Sequence, residues 1–407
     1  MCSIAEIQKV FLHPSIRLFN PYSRKVFADM ATCHTDQKGK HVYKCNNAEC
    51  NHIHYQYHSC GNRHCMFCGS TKRDEWVEKL SHDLLPTAYY HVVFTLPHEL
   101  NSLMLGNRMI LYTLLLDSAK DTLLTLGKDK KYLGGTVGVT SILHTWGQDL
   151  SFHPHVHSIV SGGGINANGK WIQPKQESNT FLFPIQAMKN VYRAIFMKRL
   201  RKLIYQNKLI VPDDVLNMLK SIADKTWNVF AKAPFKNVTS VVEYLGRYTH
   251  KVAITHHRIQ SIKEDGIAFH YKDYADSHKR KIMVLSQDEF LRRMEIHILP
   301  KRYVKIRHYG YMQNKGKQKR LNEIRSQLKL AAQKPYIKTP IVIRMLEKYQ
   351  VDILKCRKCN SGEYQLVNVM NSFDTSVMDD FKDGGLPTLQ INKAPPYILS
   401  MKYLLYI

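Results

Sequence analysis

Acidic side chains are what this chain is short of. Its 407 residues carry 33 Asp and Glu against 59 Lys and Arg, a formal net charge of +26 at pH 7. An excess of that size favours a polyanionic partner, and nucleic acid is the usual one. The plainer alternative is a generally basic surface. Long apolar runs are also missing. The most apolar stretch, Met109–Leu126, is broken by Asp117, Lys120 and Asp121, which excludes a bilayer-spanning segment there. Met1-Cys2-Ser3-Ile4-Ala5-Glu6 has neither a basic n-region nor a following apolar core. No secretory signal is therefore read, and the cytoplasm is the expected compartment. The absence of a long basic amphipathic helix argues against a membrane surface. There is no internal repeat and no low-complexity tract to suggest a solenoid or a disordered arm.

What is present divides into three stretches. Residues 1–75 are rich in Cys and His, residues 76–310 alternate strand-like and helix-like runs, and residues 311–407 begin basic and then change character. In the middle stretch, Tyr90–Leu96 reads as a strand closed by Pro97, and Gly135–His144 and His155–Val160 read as further strands, the last ended by Gly162-Gly163-Gly164. Helical spacing of apolar residues runs over Arg108–Leu126 and over one long segment, Pro184–Ala223. A shorter helix is expected over Val238–Tyr248. Strands follow at Val252–Ile262, Ile267–Tyr271 and Lys281–Leu285, the first two joined at Asp265-Gly266, then a helix at Gln287–His297. This order suggests an α+β sheet domain with helices on one face.

Two short motifs carry chemistry. In Phe152-His153-Pro154-His155-Val156-His157, strand alternation puts His155 and His157 on one face and Val156 on the other. Two neighbouring imidazoles can chelate a divalent ion and leave positions open for a substrate, as a Lewis acid requires. His153 shares the parity and could support the pair. The bland alternative is two partly exposed histidines on a sheet. Further on, Tyr244 and Tyr248 are four residues apart and share one helix face, with Arg247, His250 and Lys251 as neighbouring cations. A phenol normally ionises near pH 10 and needs a metal or cation to become a nucleophile. A core aromatic stripe is the competing reading. Together, a metal and tyrosine nucleophiles are the equipment for cutting a DNA strand and holding its 5′ end covalently, which conserves the energy needed to rejoin it.

The nine cysteines are an odd number, most of them crowded into Cys33–Cys68. In a reducing compartment this favours metal over disulfides. Cys45-x4-Cys50 and Cys65-x2-Cys68 have the pattern of a zinc ribbon, with Cys60 as the substitute ligand because the first pair is wide. Such a site replaces the core that so short a region cannot build. Cys356-x2-Cys359 is a single pair that could be half of such a site, but nothing obvious after it completes the set. Arg63 near the ribbon fits a DNA-touching module. So does the run from Lys301 to Gly310, with Arg302 and Arg307 between aromatics and continued by Lys317 and Arg320. Cations bind phosphates, and aromatic faces stack unpaired bases.

Taken in order, Ser59-Cys60-Gly61-Asn62-Arg63-His64-Cys65-Met66-Phe67-Cys68, Phe94-Thr95-Leu96-Pro97, Leu143-His144-Thr145-Trp146-Gly147, the His-Pro-His-Val-His run, Tyr244-Leu245-Gly246-Arg247-Tyr248 and Ile306-Arg307-His308-Tyr309-Gly310 closely resemble the rolling-circle transposases of the insertion sequence 91 family. The resemblance covers residues 40–330. It implies an N-terminal zinc-binding DNA-recognition module and a histidine-hydrophobic-histidine nuclease domain on a ferredoxin-like or RNA-recognition-motif-like antiparallel sheet. It further implies Mg²⁺ or Mn²⁺ on His155 and His157, and Tyr244 and Tyr248 as nucleophiles that nick single-stranded element ends and transfer them. A third metal ligand is implied but not identified: His250 is one choice, Gln148 or Asp149 another. Two other readings stay open, a rolling-circle replication initiator and a zinc-ribbon DNA-binding protein or inactive remnant.

Overall fold

The computed structural model describes residues 2–12, 20–174 and 182–371, apart from 224, 233, 236–239, 242–243, 245–251 and 275. In chain order the elements are α1 (Ile4–Val10), α2 (Pro21–Ala31), β1 (Gly39–Cys45), β2 (Ile53–Tyr57), α3 (Ser70–Asp83), β3 (Tyr89–Thr95), α4 (Asn101–Gly106), α5 (Arg108–Lys128), β4 (Thr136–Trp146), β5 (Phe152–Ile165), β6 (Trp171–Ile172), α6 (Ile185–Tyr205), α7 (Val215–Ala223), β7 (Val229–Ala231), β8 (Ile259–Lys263), β9 (Gly266–Asp273), β10 (Lys279–Leu285), β11 (Ile306–Gly310) and β12 (Tyr364–Asn371). Helices also span Gln287–Ile296, Lys317–Gln327 and Ile341–Tyr349. Among the described residues no helix is long and apolar enough to cross a membrane.

The chain forms two compact units that are not consecutive stretches. One gathers residues 20–24 and 72–336, the other residues 4–12, 25–71 and 337–371. The division expected near residue 310 is therefore displaced. Leu321 and Ile324 of the helix Lys317–Gln327 are fully buried in the first unit, so that helix is core rather than tail. Residues 337–371 return to the unit begun by the N-terminal cysteines.

The first unit is built on an antiparallel sheet in the order β11-β4-β5-β3-β7, with β6 paired to β5. Val, Ile, Thr and Phe make up more than half of β3 and β4, as a pleated buried surface favours. Phe94, Val139, Leu143, Val156 and Val160 point to one face, where Leu115 and Leu123 of α5 and Tyr192 and Phe196 of α6 close the main core. Tyr89, Ile142 and Ile159 point to the opposite face and pack with Val241, Tyr311, Leu321 and Ile324. Most of β4 and β5 is thus buried on both sides.

Some boundaries depart from the sequence reading for local reasons. β5 runs through the three glycines expected to end it, because a side chain at Gly163 would lie 2.2 Å from the Trp171 ring. The expected long helix is two, α6 and α7, separated by a stretch in which Asn207 takes φ +52° and Pro212 follows. β8 starts at Ile259 rather than Val252, since Arg258 turns back to donate to the carbonyls of Ala253 and His270. β8, β9 and β10 make a separate antiparallel sheet, followed by the helix Gln287–Ile296, whose first turn is capped by Ser286 Oγ accepting from Glu289 N–H.

The second unit has a sheet in the order β12-β1-β2, so the central strand β1 pairs with a neighbour eight residues downstream of its end and with another more than three hundred residues away. Gln8 of α1 donates to the carbonyls of Cys33 and Met30, and the Phe11 and Phe27 rings meet at 5.4 Å.

Candidate active site and metal centres

The sheet of the first unit assembles a histidine cluster from three strands. β5 supplies His155 and His157 on one face, with Val156 fully buried on the other. The pairing of β4 with β5 sets His144 directly opposite His155. One ligating nitrogen from each of His144, His155 and His157 lies within 4.8 Å of the others. The Nε2 atoms of His155 and His157 are 3.1 Å apart, near the roughly 3 Å between adjacent ligands on an octahedral ion with bonds of about 2.1 Å. His155 Nδ1 lies 2.6 Å from the His153 carbonyl, so it carries the proton and donates, and its Nε2 keeps a lone pair. His153 thereby acts through its backbone. Burial pushes His155 down to about 4, which keeps the imidazole neutral.

His91 on β3 completes the array. Its Nε2 is 2.9 Å from His157 Nδ1, and its ring stacks on His157 at 5.2 Å. Only 1 % of His91 is exposed. Burial, then the charges of Lys232 and His155, push it down to about 3. On the far side of His91 stands Tyr244, whose Oη is 3.1 Å from His91 Nδ1 and 3.3 Å from Nε2. Tyr244 sits in helical backbone, its ring packed on Phe235 and His91, with Lys232 Nζ 5.8 Å from the ring centre. An unbroken contact chain thus runs from tyrosine to His91 to His157 to His155.

The other expected residues fall as follows. Tyr248, Arg247, His250 and Lys251 lie outside the described residues. Asp149 Oδ1 accepts from the hydroxyl and N–H of Ser151, and Gln148 Nε2 donates to the Tyr274 hydroxyl, so both shape the turn before β5. Arg307 reaches toward α5, donating to Thr113 Oγ1 at 3.3 Å, with Asp117 at 3.8 Å. Thr140 and His308 occupy the opposite face. Lys317 pairs with the buried Asp83, and Arg320 donates to the carbonyls of Tyr311, Gln313 and Lys315. Arg302 is exposed and takes φ +62°. Arg63 Nε donates to His64 Nε2 at 3.3 Å. His91 and His144 were not singled out from the sequence, although both lie in stretches read as strands. Only cross-strand register brings them to the pair.

The cysteines divide differently from the expected single ribbon. Cys33, Cys60, Cys65 and Cys68 form one group, and Cys45, Cys50, Cys356 and Cys359 form another, each with its sulfurs within 4.8 Å. Cys45 and Cys50 therefore do not share a group with Cys65 and Cys68. Cys60 is a member rather than a substitute, and Cys33 is the member that spacing did not reveal. In the first group the N–H groups of Cys60 and Phe67 donate to Cys33 and Cys65 sulfurs, each at 3.4 Å. Hydrogen bonds to sulfur favour the thiolate, the form that binds a metal. The donor set fits a tetrahedral ion of zinc type.

Two family models match the chain. One, described as "Putative transposase", covers residues 138–320, and the other, described as "Transposase zinc-binding domain", covers residues 4–96. The chain is 33 % identical over 362 residues to "Putative transposase y4qJ" of Sinorhizobium fredii, covering 86 % of this chain and 89 % of that one. It is 28 % identical over 341 residues to "Transposase for insertion sequence element IS801" of Pseudomonas savastanoi pv. phaseolicola, covering 82 % and 80 % respectively. No solved structure matches.

Proposed function

From a chain that belongs to the insertion sequence 91 family of transposases, with its zinc-binding domain, we propose an enzyme that nicks one DNA strand at the element's ends, holds it as a 5′-phosphotyrosine and transfers it by rolling-circle transposition. The observation that carries this reading is the contact of Tyr244 Oη with His91, itself bonded to His157 of the three-histidine cluster. The order β3-α5-β4-β5-α6-β7, with strands arranged β4-β5-β3-β7, supports the ferredoxin-like nuclease plan.

His155, His157 and His144 would hold Mg²⁺ or Mn²⁺, in place of the His250, Gln148 or Asp149 considered from the sequence. A divalent ion there supplies a Lewis acid for the scissile phosphate. If His157 held the ion through Nε2, its Nδ1 would carry the proton and donate to His91 Nε2. His91 then holds its own proton on Nδ1 and donates it to Tyr244 Oη. A donor at that oxygen stabilises the phenolate and lowers the cost of making a nucleophile. Tyr244 gives up its proton to water, the phenolate attacks phosphorus, the bond to O3′ breaks, and the departing 3′ oxygen takes up a proton from water. Tyr248, four residues on, would hold a second end in turn. Cys33, Cys60, Cys65 and Cys68 would hold zinc in the DNA-recognition unit. Single-stranded DNA is the substrate, and the enzyme acts in the cytoplasm at the bacterial nucleoid.

The test is a denaturing gel of the protein incubated with labelled single-stranded element ends, with Mg²⁺ or with EDTA. A metal-dependent adduct that survives denaturation and disappears in the Tyr244→Phe/Tyr248→Phe double variant is expected. An adduct that persists in the double variant refutes the assignment of the nucleophiles.

A further inference from the structure

The cysteine group Cys45, Cys50, Cys356 and Cys359 is separate from the N-terminal group, and the zinc-binding family model, ending at residue 96, contains only half of it. Cys45 Sγ lies 3.7 Å from Cys359 Sγ, and Cys50 Sγ lies 3.8 Å from Cys356 Sγ. Four thiolates bound to one tetrahedral zinc at about 2.3 Å stand about 3.8 Å apart. Both pairs meet that spacing.

The two cysteine turns are locked to each other by backbone and side chain. Asn46 N–H donates to the Glu363 carbonyl at 2.9 Å, Glu363 N–H returns to Asn46 Oδ1 at 2.8 Å, and Asn47 Nδ2 donates to Ser361 Oγ at 3.1 Å. Gly362 N–H donates to Cys359 Sγ at 3.3 Å. A side chain at Gly362 would lie 2.5 Å from Cys45 Sγ, so only glycine lets the second turn approach the first this closely. Beyond the turns, β12 pairs with β1 from Cys45↔Tyr364 to Gly39↔Asn371.

We propose that Cys45, Cys50, Cys356 and Cys359 bind a second zinc ion, which clasps the C-terminal segment into the N-terminal unit. Each half of the site is a single cysteine pair, and neither makes a four-sulfur set without the other. The chain leaves this unit at residue 71 and returns at residue 337. The clasp therefore makes the unit discontinuous: β1 gains its outer neighbour only once the chain through residue 371 is present. The assignment stands independently of the role of Tyr244.

Elemental analysis of the purified full-length chain tests it. Two zinc per chain are expected, and the Cys356→Ser/Cys359→Ser variant should hold half as much while Cys60→Ser/Cys65→Ser loses the other half. Limited proteolysis of the first variant should cut within residues 351–371 faster than in the parent. One zinc in the parent, iron in place of zinc, or undiminished zinc in the Cys356→Ser/Cys359→Ser variant overturns the proposal. A second measurement needs no variant. Co²⁺ added to the zinc-depleted parent should build the thiolate charge-transfer band up to two equivalents, and saturation at one equivalent overturns the clasp.

Discussion

Replacing His91 by Ala or Asn tests whether the contact chain from Tyr244 to the histidine cluster is functional. His91 makes two hydrogen bonds that Ala cannot, one toward His157 Nδ1 at 2.9 Å and one toward Tyr244 Oη at 3.1 Å. A hydrogen bond to a charged oxygen contributes about 1.5–3 kcal/mol. Its loss should make the phenolate harder to form by about 10–100-fold, since a factor of ten corresponds to about 1.4 kcal/mol. The bond to His157 orients a ligand from behind, a contribution usually of about 10–100-fold in metal affinity. The expected outcome for His91→Ala is a single-turnover nicking rate at pH 7.5 lower by about 10–100-fold at saturating Mn²⁺. The limb on which the rate rises with pH should move to higher pH, and half-saturation should need about tenfold more metal. His91→Asn, which keeps a polar group in the strand, should recover part of the loss. The assay is nicking of a labelled single-stranded oligonucleotide from pH 6 to 10 across a Mn²⁺ series, with the melting temperature followed in parallel. A His91→Ala protein of parental Tm, parental rate, unmoved rising limb and unchanged metal requirement would refute the reasoning.

The remaining predictions probe other parts of the molecule. Gly362→Ala drives a methyl toward Cys45 Sγ, now 2.5 Å from where it would stand, and overpacking of that kind costs about 1–3 kcal/mol; a chelator should strip half of the zinc about tenfold faster, and parental release kinetics would count against the close approach. Phe94, fully buried on β3 with its ring 4.9 Å from Tyr192, should cost about 3–5 kcal/mol as Ala and lower Tm by roughly 10 °C, and a shift under about 2 °C would discount the core assignment. His297 and His308 are both pushed down to about 4, chiefly by burial. The unfolded chain, with imidazoles near 6.5, binds more protons below that pH, so the stability they contribute is complete above about pH 6.5 and is lost as pH falls toward 4. Each should subtract about 2 kcal/mol by pH 5, and a Tm flat between pH 7 and 5 would contradict this.

Much of this molecule is legible in the chain because local physics writes it there. Strand alternation needs only consecutive residues, and it set His155 and His157 on one face with Val156 behind them. The helical period did the same for α5, whose observed span, Arg108–Lys128, is close to the expected one. The charge excess and the ordered motifs point to DNA and to the family from the chain alone. Where the local signal misled, tertiary contacts were responsible. The glycines at 162–164 read as a strand end, yet each lies against a close neighbour, Gly162 against Ala88, Gly163 against Trp171 and Gly164 against Thr136.

What lay beyond the sequence was long-range pairing. His144 joins the histidine pair because β4 and β5 align it with His155, and His91 joins because β3 runs on the other side of β5. Cys33 meets Cys60, Cys65 and Cys68 across the unit, and Cys356 and Cys359 meet Cys45 and Cys50 from the far end of the described chain. Spacing reveals partners that sit on one turn, one strand or one helix. It says nothing of partners that meet only when hydrophobic burial folds separate strands into one sheet, because the free energy selecting that meeting comes from the whole core. The sequence by itself determined the family, the charge and the chemistry available to each short segment; the tertiary structure alone decided which of those side chains stand together.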